Sequence, residues 1–154
     1  MTVDVIRLNF DKAMGFHYEF ENGERMTVDS YDDVVALRCY VRQHRRDLMT
    51  PLERRVIEYT APIVSESSHH KIGEHLHGKI SHLHEYLERR DGHVDDDAVI
   101  AAFQLPYATR SKNAVSRVIE EHRTQIKENR CPACDRIVRT PAARQCLWCG
   151  HAWH

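Results

Sequence analysis

The sequence predicts an α+β fold: a small N-terminal antiparallel sheet, a helical middle and a cysteine-punctuated C-terminal hairpin. Residues 3–10 and 16–28 have strand-like patterning around an Asn22-Gly23 turn signal. From residue 33 onward, apolar residues recur at three- and four-residue spacing behind recognisable helix starts. Residues 131–149 contain two C-x-x-C pairs separated by eleven residues.

The stretch VDVIRLNF, residues 3–10, reads as the first strand, and 16–28 as a hairpin. A two-residue Asn-Gly loop sets Tyr18 opposite Thr27 and Phe20 opposite Arg25, which leaves Met26 and Val28 on the other face. A three-residue loop, Glu21 to Gly23, instead pairs Phe16 with Val28, Tyr18 with Met26 and Glu19 with Arg25. The second register is preferred because it gathers one apolar face, which then needs a helix to cover it.

Ser30 followed by Asp33 opens a helix over residues 33–47, with Val34, Leu37, Val41, His44 and Leu48 as its core-facing stripe. Cys39 falls off that stripe and is expected to be an inert thiol. Thr50-Pro51-Leu52-Glu53 is a helix start in which Thr caps, Pro takes the first helical position and Glu completes a capping box. That helix is expected to run to about Thr60 and to end before Pro62.

Seven histidines fall between His69 and His93. On a helix with Ile72, Leu76, Ile80, Leu83 and Leu87 buried, His70, His77 and His84 flank one side, and His75 and His82 the other. Seven residues rise about 10.5 Å, so the members of either series cannot share one ion. Glu74-x-x-His77 is the one pattern of carboxylate-bridged metal type, and a di-iron bundle needs two such pairs. A solvated polar face is therefore preferred to a His-rich metalloenzyme, which stays as an alternative. After the acidic stretch 91–97, a short helix is expected over Ala98–Leu105 and a second over Lys112–Ile126. The second has Val115, Val118, Ile119, His122 and Ile126 on one face.

The chain has 154 residues, 42% hydrophobic and 29% charged, the composition of a soluble globular protein. No apolar run is long enough to span a bilayer, and MTVDVIRLNF lacks the regions of a signal peptide, so no membrane partner and a cytoplasmic location are expected. The net charge of −1 conceals segregation: residues 1–35 carry three basic against eight acidic groups, and residues 105–145 nine basic against four acidic. A second basic patch runs from Arg38 to Arg55. No nucleophile–base pair, glycine-rich phosphate loop or open three-ligand site is visible, so no enzymatic activity is expected.

In a C-x-x-C turn two thiolates converge, and two such turns complete a tetrahedron around Zn²⁺ at about 2.3 Å per sulfur. Cys131, Cys134, Cys146 and Cys149 are the expected ligands. Asp135 and Gly150 stand just after each pair, where a left-handed backbone is wanted. Thr140-Pro141 lies where the hairpin turns, and Ile137, Val138, Leu147 and Trp148 can cover the site. His151 and His154 are expected in solvent. Residues 131–154 resemble a zinc ribbon. The domain division expected is an α+β body over 1–129 and a zinc ribbon over 130–154.

Within 98–126, two helices joined by a turn form a helix-turn-helix-like segment, the second opening with Arg110, Lys112, Asn113, Ser116 and Arg117. Asn113-Ala-Val-Ser-Arg-Val118 is similar to the recognition helices of lactose-repressor-like regulators. Leu48-Met-Thr-Pro-Leu-Glu53, Val56, Ile57 and Tyr59, then Ile63-Val-Ser65, resemble the first helix and turn of the winged-helix output domains of response regulators. The sequence departs from that pattern in its extra helix at 33–47, an insertion around 78–97, and cysteines where the wing should be. These resemblances imply nucleic-acid binding or transcription regulation, with duplex contacts from Arg110, Lys112, Asn113, Arg117, Arg139 and Arg144. The rival is a zinc-stapled module whose ribbon meets a protein partner.

Overall fold

The computed structural model describes residues 5–11, 15–20, 24–58 and 89–154. The fold is α+β, and the chain forms two compact units: Met1–Leu48 with Lys112–His154, and Met49–Ser111. The expected boundary at 129/130 does not coincide with either break. The cysteine hairpin shares its unit with the N-terminal sheet.

In the first unit, β1 (Val5–Asp11), β2 (Gly15–Phe20) and β3 (Arg25–Met26) form an antiparallel sheet in that order. β1 pairs with β2 from Val5↔Phe20 to Asp11↔Gly15, with an irregularity between Val5 and Arg7. The register of β2 on β3 is the one preferred from sequence, Tyr18↔Met26 and Glu19↔Arg25, and the Phe20 N–H donates to the Glu24 carbonyl at 2.9 Å. Tyr18 and Met26 are both buried, as one apolar face requires.

Helix α1 spans Asp33–His44, and its cap is Asp32 rather than Ser30. The Asp32 carboxylate accepts from the Val35 N–H at 2.9 Å, while Ser30 Oγ accepts from the Thr27 N–H in the preceding turn. The helix starts at the expected Asp33, but its buried face is centred on Ala36 and Tyr40 rather than on Val34 and Val41. Ala36, Leu37, Cys39, Tyr40 and Val41 are buried, and Val34, expected in the core, is 59% exposed. A 3-10 turn over Arg46–Leu48 follows, so the helix stops before Leu48 joins its stripe.

In the second unit, α2 (Pro51–Glu58) opens with the expected reciprocal box. The Thr50 N–H donates to Glu53 Oε2 at 2.8 Å, and the Glu53 N–H to Thr50 Oγ1 at 3.2 Å. α3 (Asp96–Phe103) is capped by the Asp95 carboxylate, which accepts from the Ala98 N–H, and so begins two residues earlier than expected. α2 and α3 pack on one another. Arg54 pairs with the buried Asp91 carboxylate at 3.0 Å and also donates to the Met49 carbonyl. The Arg90 and Arg54 guanidiniums hold the Asp91 carboxyl below its usual range.

α4 (Tyr107–His122) starts directly after Pro106, five residues before the expected Lys112, and hands over to a 3-10 turn at Arg123–Gln125. Only residues 104–106 therefore separate α3 from α4. The buried positions on α4 are Arg110, Ser111, Ala114, Val115 and Val118; Ile119 and His122 are half-buried. The histidine-rich segment through His84, with Glu74 and His77, and the expected end of the second helix near Thr60 lie outside the described residues; His93 is exposed. No helix of the described residues is long and apolar enough to cross a membrane.

Candidate metal centre

The cysteine hairpin is one backbone motif used twice at a fifteen-residue offset. In the first turn the Asp135 N–H donates to the Cys131 carbonyl at 2.8 Å, and the Cys131 N–H to the Arg136 carbonyl at 3.0 Å. In the second, Gly150 donates to Cys146 at 2.9 Å and Cys146 to His151 at 2.8 Å. The flanking pairs repeat as well: bridges Arg130↔Ile137 and Gln145↔Ala152, and N–H donation from Val138 to Asn129 and from Trp153 to Arg144. Each turn closes through a left-handed residue, Asp135 at φ 59° and Gly150 at φ 77°, the two positions expected from sequence. Between them the Ala143 N–H donates to the Thr140 carbonyl, making the expected turn at Thr140-Pro141.

This repetition brings four sulfurs together. Cys131 and Cys149 Sγ lie 3.6 Å apart, Cys134 and Cys146 Sγ 3.7 Å apart, and all four are within 4.8 Å of one another. A tetrahedron with bonds of about 2.3 Å has sulfur–sulfur edges of roughly 3.8 Å. A disulfide needs about 2.05 Å, and none of the five cysteines is in one. The donor set therefore fits a zinc-sized ion and can hold one.

The turns act differently on the individual thiols, and burial raises the Cys134 thiol. Burial opposes ionisation of Cys131, but the Cys134 and Ala133 N–H groups and the neighbouring sulfurs outweigh it and bring its thiol down to about 7. Burial dominates at Cys146, pushed up to about 12 although the Cys149 and Trp148 N–H groups favour its thiolate. Four sulfurs fill a tetrahedral shell and leave no open position, the arrangement of a structural rather than a catalytic zinc site.

The hairpin docks on the N-terminal elements of its unit through Arg130, Arg136 and Ile137 of the first turn and Trp148 of the second. Trp148 packs against Tyr18 at 5.7 Å and edge-on against Tyr31 at 5.1 Å, and its Nε1–H donates to the Ile137 carbonyl at 2.9 Å. The Ile137 N–H donates to Tyr31 Oη, which donates onward to Asp33. Arg136 lies over the Tyr31 ring and donates to the Val28 carbonyl. Arg130 forms a fork on Asp33, with both N–O distances 2.9 Å, and reaches Glu128 as well. Ile137, Val138 and Trp148 are buried as expected, but Leu147 is only half-buried, because the cover comes from Tyr18 and Tyr31 instead. Sequence reasoning missed Tyr31, Asp33, Arg130 and Arg136 as docking residues; no local pattern marks partners about a hundred positions apart.

The six basic and polar residues assigned to nucleic acid separate into two groups. Lys112, Asn113, Arg139 and Arg144 are exposed. Arg110 is 8% exposed, with its guanidinium over the Tyr107 ring and a bond to the Leu105 carbonyl. Arg117 is half-buried and donates to Glu121 at 2.6 Å and to the Leu48 carbonyl at 3.1 Å. Starting α4 at Tyr107 turns Arg110 inward, which the expected start at Lys112 did not anticipate. His151 and His154 are exposed, as expected.

No family model, curated protein or solved structure matches this chain. The reading of the site rests on its geometry.

Proposed function

We propose that this is a zinc-ribbon protein that binds nucleic acid, with the metal as a structural staple and the exposed cations as the contact surface. The observation that carries the zinc assignment is the pair of sulfur separations, 3.6 and 3.7 Å, in a cluster of four thiols. Zinc bound there supplies the folding energy that a hairpin this small cannot obtain from a core of its own. The three-residue turn between α3 and α4 is of helix-turn-helix length, which supports the regulatory reading.

Lys112, Arg139 and Arg144 would meet phosphates, and Asn113 an adenine edge. Elemental analysis should find one zinc per chain. Affinity for a random duplex should fall steeply with salt, and Lys112→Ala should make the log–log slope shallower by roughly one. A zinc-loaded protein that binds no duplex at low salt would leave the second reading, a zinc-stapled protein-interaction module. That reading is favoured by the internal commitments of Arg110 and Arg117.

A further inference from the structure

The second cysteine turn ends in a groove of about 320 Å³ formed by residues 141–144, Asn129, Trp153 and His154. Two features show that it is a built surface. The Asn129 side-chain amide donates to the Thr140 and Ala143 carbonyls at 3.1 and 2.8 Å, pinning the loop that forms one wall. The Trp153 N–H is held by the Arg144 carbonyl at 2.8 Å, the repeat of the bond that Val138 makes to Asn129 in the first turn. Where the first turn has the buried Val138, the second has a half-exposed tryptophan, the side chain most often kept for contact with a flat or aromatic ligand.

We propose that this groove binds single-stranded nucleic acid, with one unstacked base against Trp153 and an adjoining phosphate on Arg144. The proposal rests on the nucleic-acid reading above and adds a strand state and a place. The Trp153 ring lies nearly parallel to His151, at 14° and 6.2 Å between centroids, so a base placed in the groove extends an existing stack. No aspartate or glutamate side chain lines the groove, while Arg144 does, which selects an anionic occupant. The volume is at the small end of the range for ligand sites, about 300–1,000 Å³, and suits one base rather than a duplex. An acidic peptide would use Arg144 but leave the aromatic stack idle, so the strand is the better fit.

The test uses the full zinc-loaded chain and fluorescently labelled ten-nucleotide oligo-dT and oligo-U, with a duplex of equal length alongside. Trp153→Ala should weaken single-strand binding roughly 5- to 150-fold, the range for loss of one base–aromatic stack, with little change for duplex. Trp153→Phe should restore most of it, and Arg144→Ala should make the salt slope shallower by about one. Zinc content of each variant shows that the fold survives. Equal binding of single strands by parent and Trp153→Ala overturns the proposal. Duplex binding without single-strand binding also overturns it and leaves the nucleic-acid reading standing, whereas absence of both defeats the two together. If a polyglutamate peptide binds as tightly and is as sensitive to Trp153→Ala, the groove takes an acidic protein segment and the proposal is wrong.

Discussion

In the first cysteine turn Arg130, Arg136 and Ile137 all bond to residues 28–33, whereas fifteen residues on, their counterparts Gln145, His151 and Ala152 face solvent. Backbone bonds, left-handed closing residues and sulfur positions are matched between the two turns. Metal geometry thus constrains few positions in each turn: two cysteines and the residue after them. Everything else is free to vary, and here the residues flanking the first pair dock while those flanking the second are exposed, with Trp148 as the second turn's own docking residue. The contrast makes the first turn, together with Trp148 from the second, part of the core of its unit and leaves the end of the second turn, residues 150–154, available for contact.

The largest expected effect is loss of the zinc proposed to be shared by both turns. Structural zinc contributes about 10–16 kcal/mol in small fingers, as much as the whole stability of an ordinary domain, about 5–15 kcal/mol. Cys146→Ser should abolish stoichiometric zinc and, because Trp148 is locked on Tyr18 and Tyr31, unfold the N-terminal sheet and α1 with the hairpin. Metal analysis with circular dichroism checks this, and retained zinc would break the four-thiolate assignment.

The two tryptophans sharpen the comparison. Trp148→Ala removes a buried ring and should cost about 3–5 kcal/mol in denaturant unfolding. Trp153→Ala removes a half-exposed one and should cost less than about 1 kcal/mol. Comparable losses would mean that the end of the second turn, beyond Gly150, is structural too.

What could be read from the sequence was local. The capping box at Thr50–Glu53, the hairpin register through Tyr18 and Met26, and the left-handed positions after each cysteine pair depend on residues within a few places of each other. The faces of α1 and α4 were less legible, because the elements that pack on a helix lie far off in sequence and decide which face is buried, and because the five residues added at the start of α4 put Arg110 on the same face as Ala114 and Val118. Val34 turned outward and Arg110 inward for that reason. The docking of the hairpin was not legible at all: Arg130 and Asp33 are ninety-seven positions apart, and each alone reads as an ordinary surface charge.

That ion pair gives a smaller effect with a pH signature. Asp33 is lowered from 3.8, chiefly by the Arg130 bond; Glu128 is lowered from 4.5, its burial outweighed by bonds from Arg123 and Arg130. A depressed carboxyl stabilises the fold above its unfolded value and loses that contribution as the pH falls through the folded value. Asp33 is half exposed, so Arg130→Ala should cost only about 1–2 kcal/mol at neutral pH. The difference from the parent should stay level down to about pH 5 and narrow below about pH 4, seen in melting curves across that range. Gln145→Ala, at the matched position, should cost nothing measurable.

The smallest effects come from the closing residues. At φ 77° with nothing within 4 Å of an added Cβ, Gly150→Ala has only a backbone penalty, roughly 1 kcal/mol. Asp135→Gly, at φ 59°, should be neutral or stabilising by up to about 1 kcal/mol. Opposite signs in paired denaturant titrations confirm that the two positions are equivalent; equal signs would deny it.

Hydrogen exchange of the α1 amides, Asp33–His44, during zinc chelation tests most directly whether the first turn belongs to the core of its unit. Chelation is predicted to strip protection from α1 and from residues 130–138 together, with matching loss in both. Protection of α1 persisting after the metal has gone and the hairpin has exchanged would contradict the account and make the cysteine hairpin an appendage.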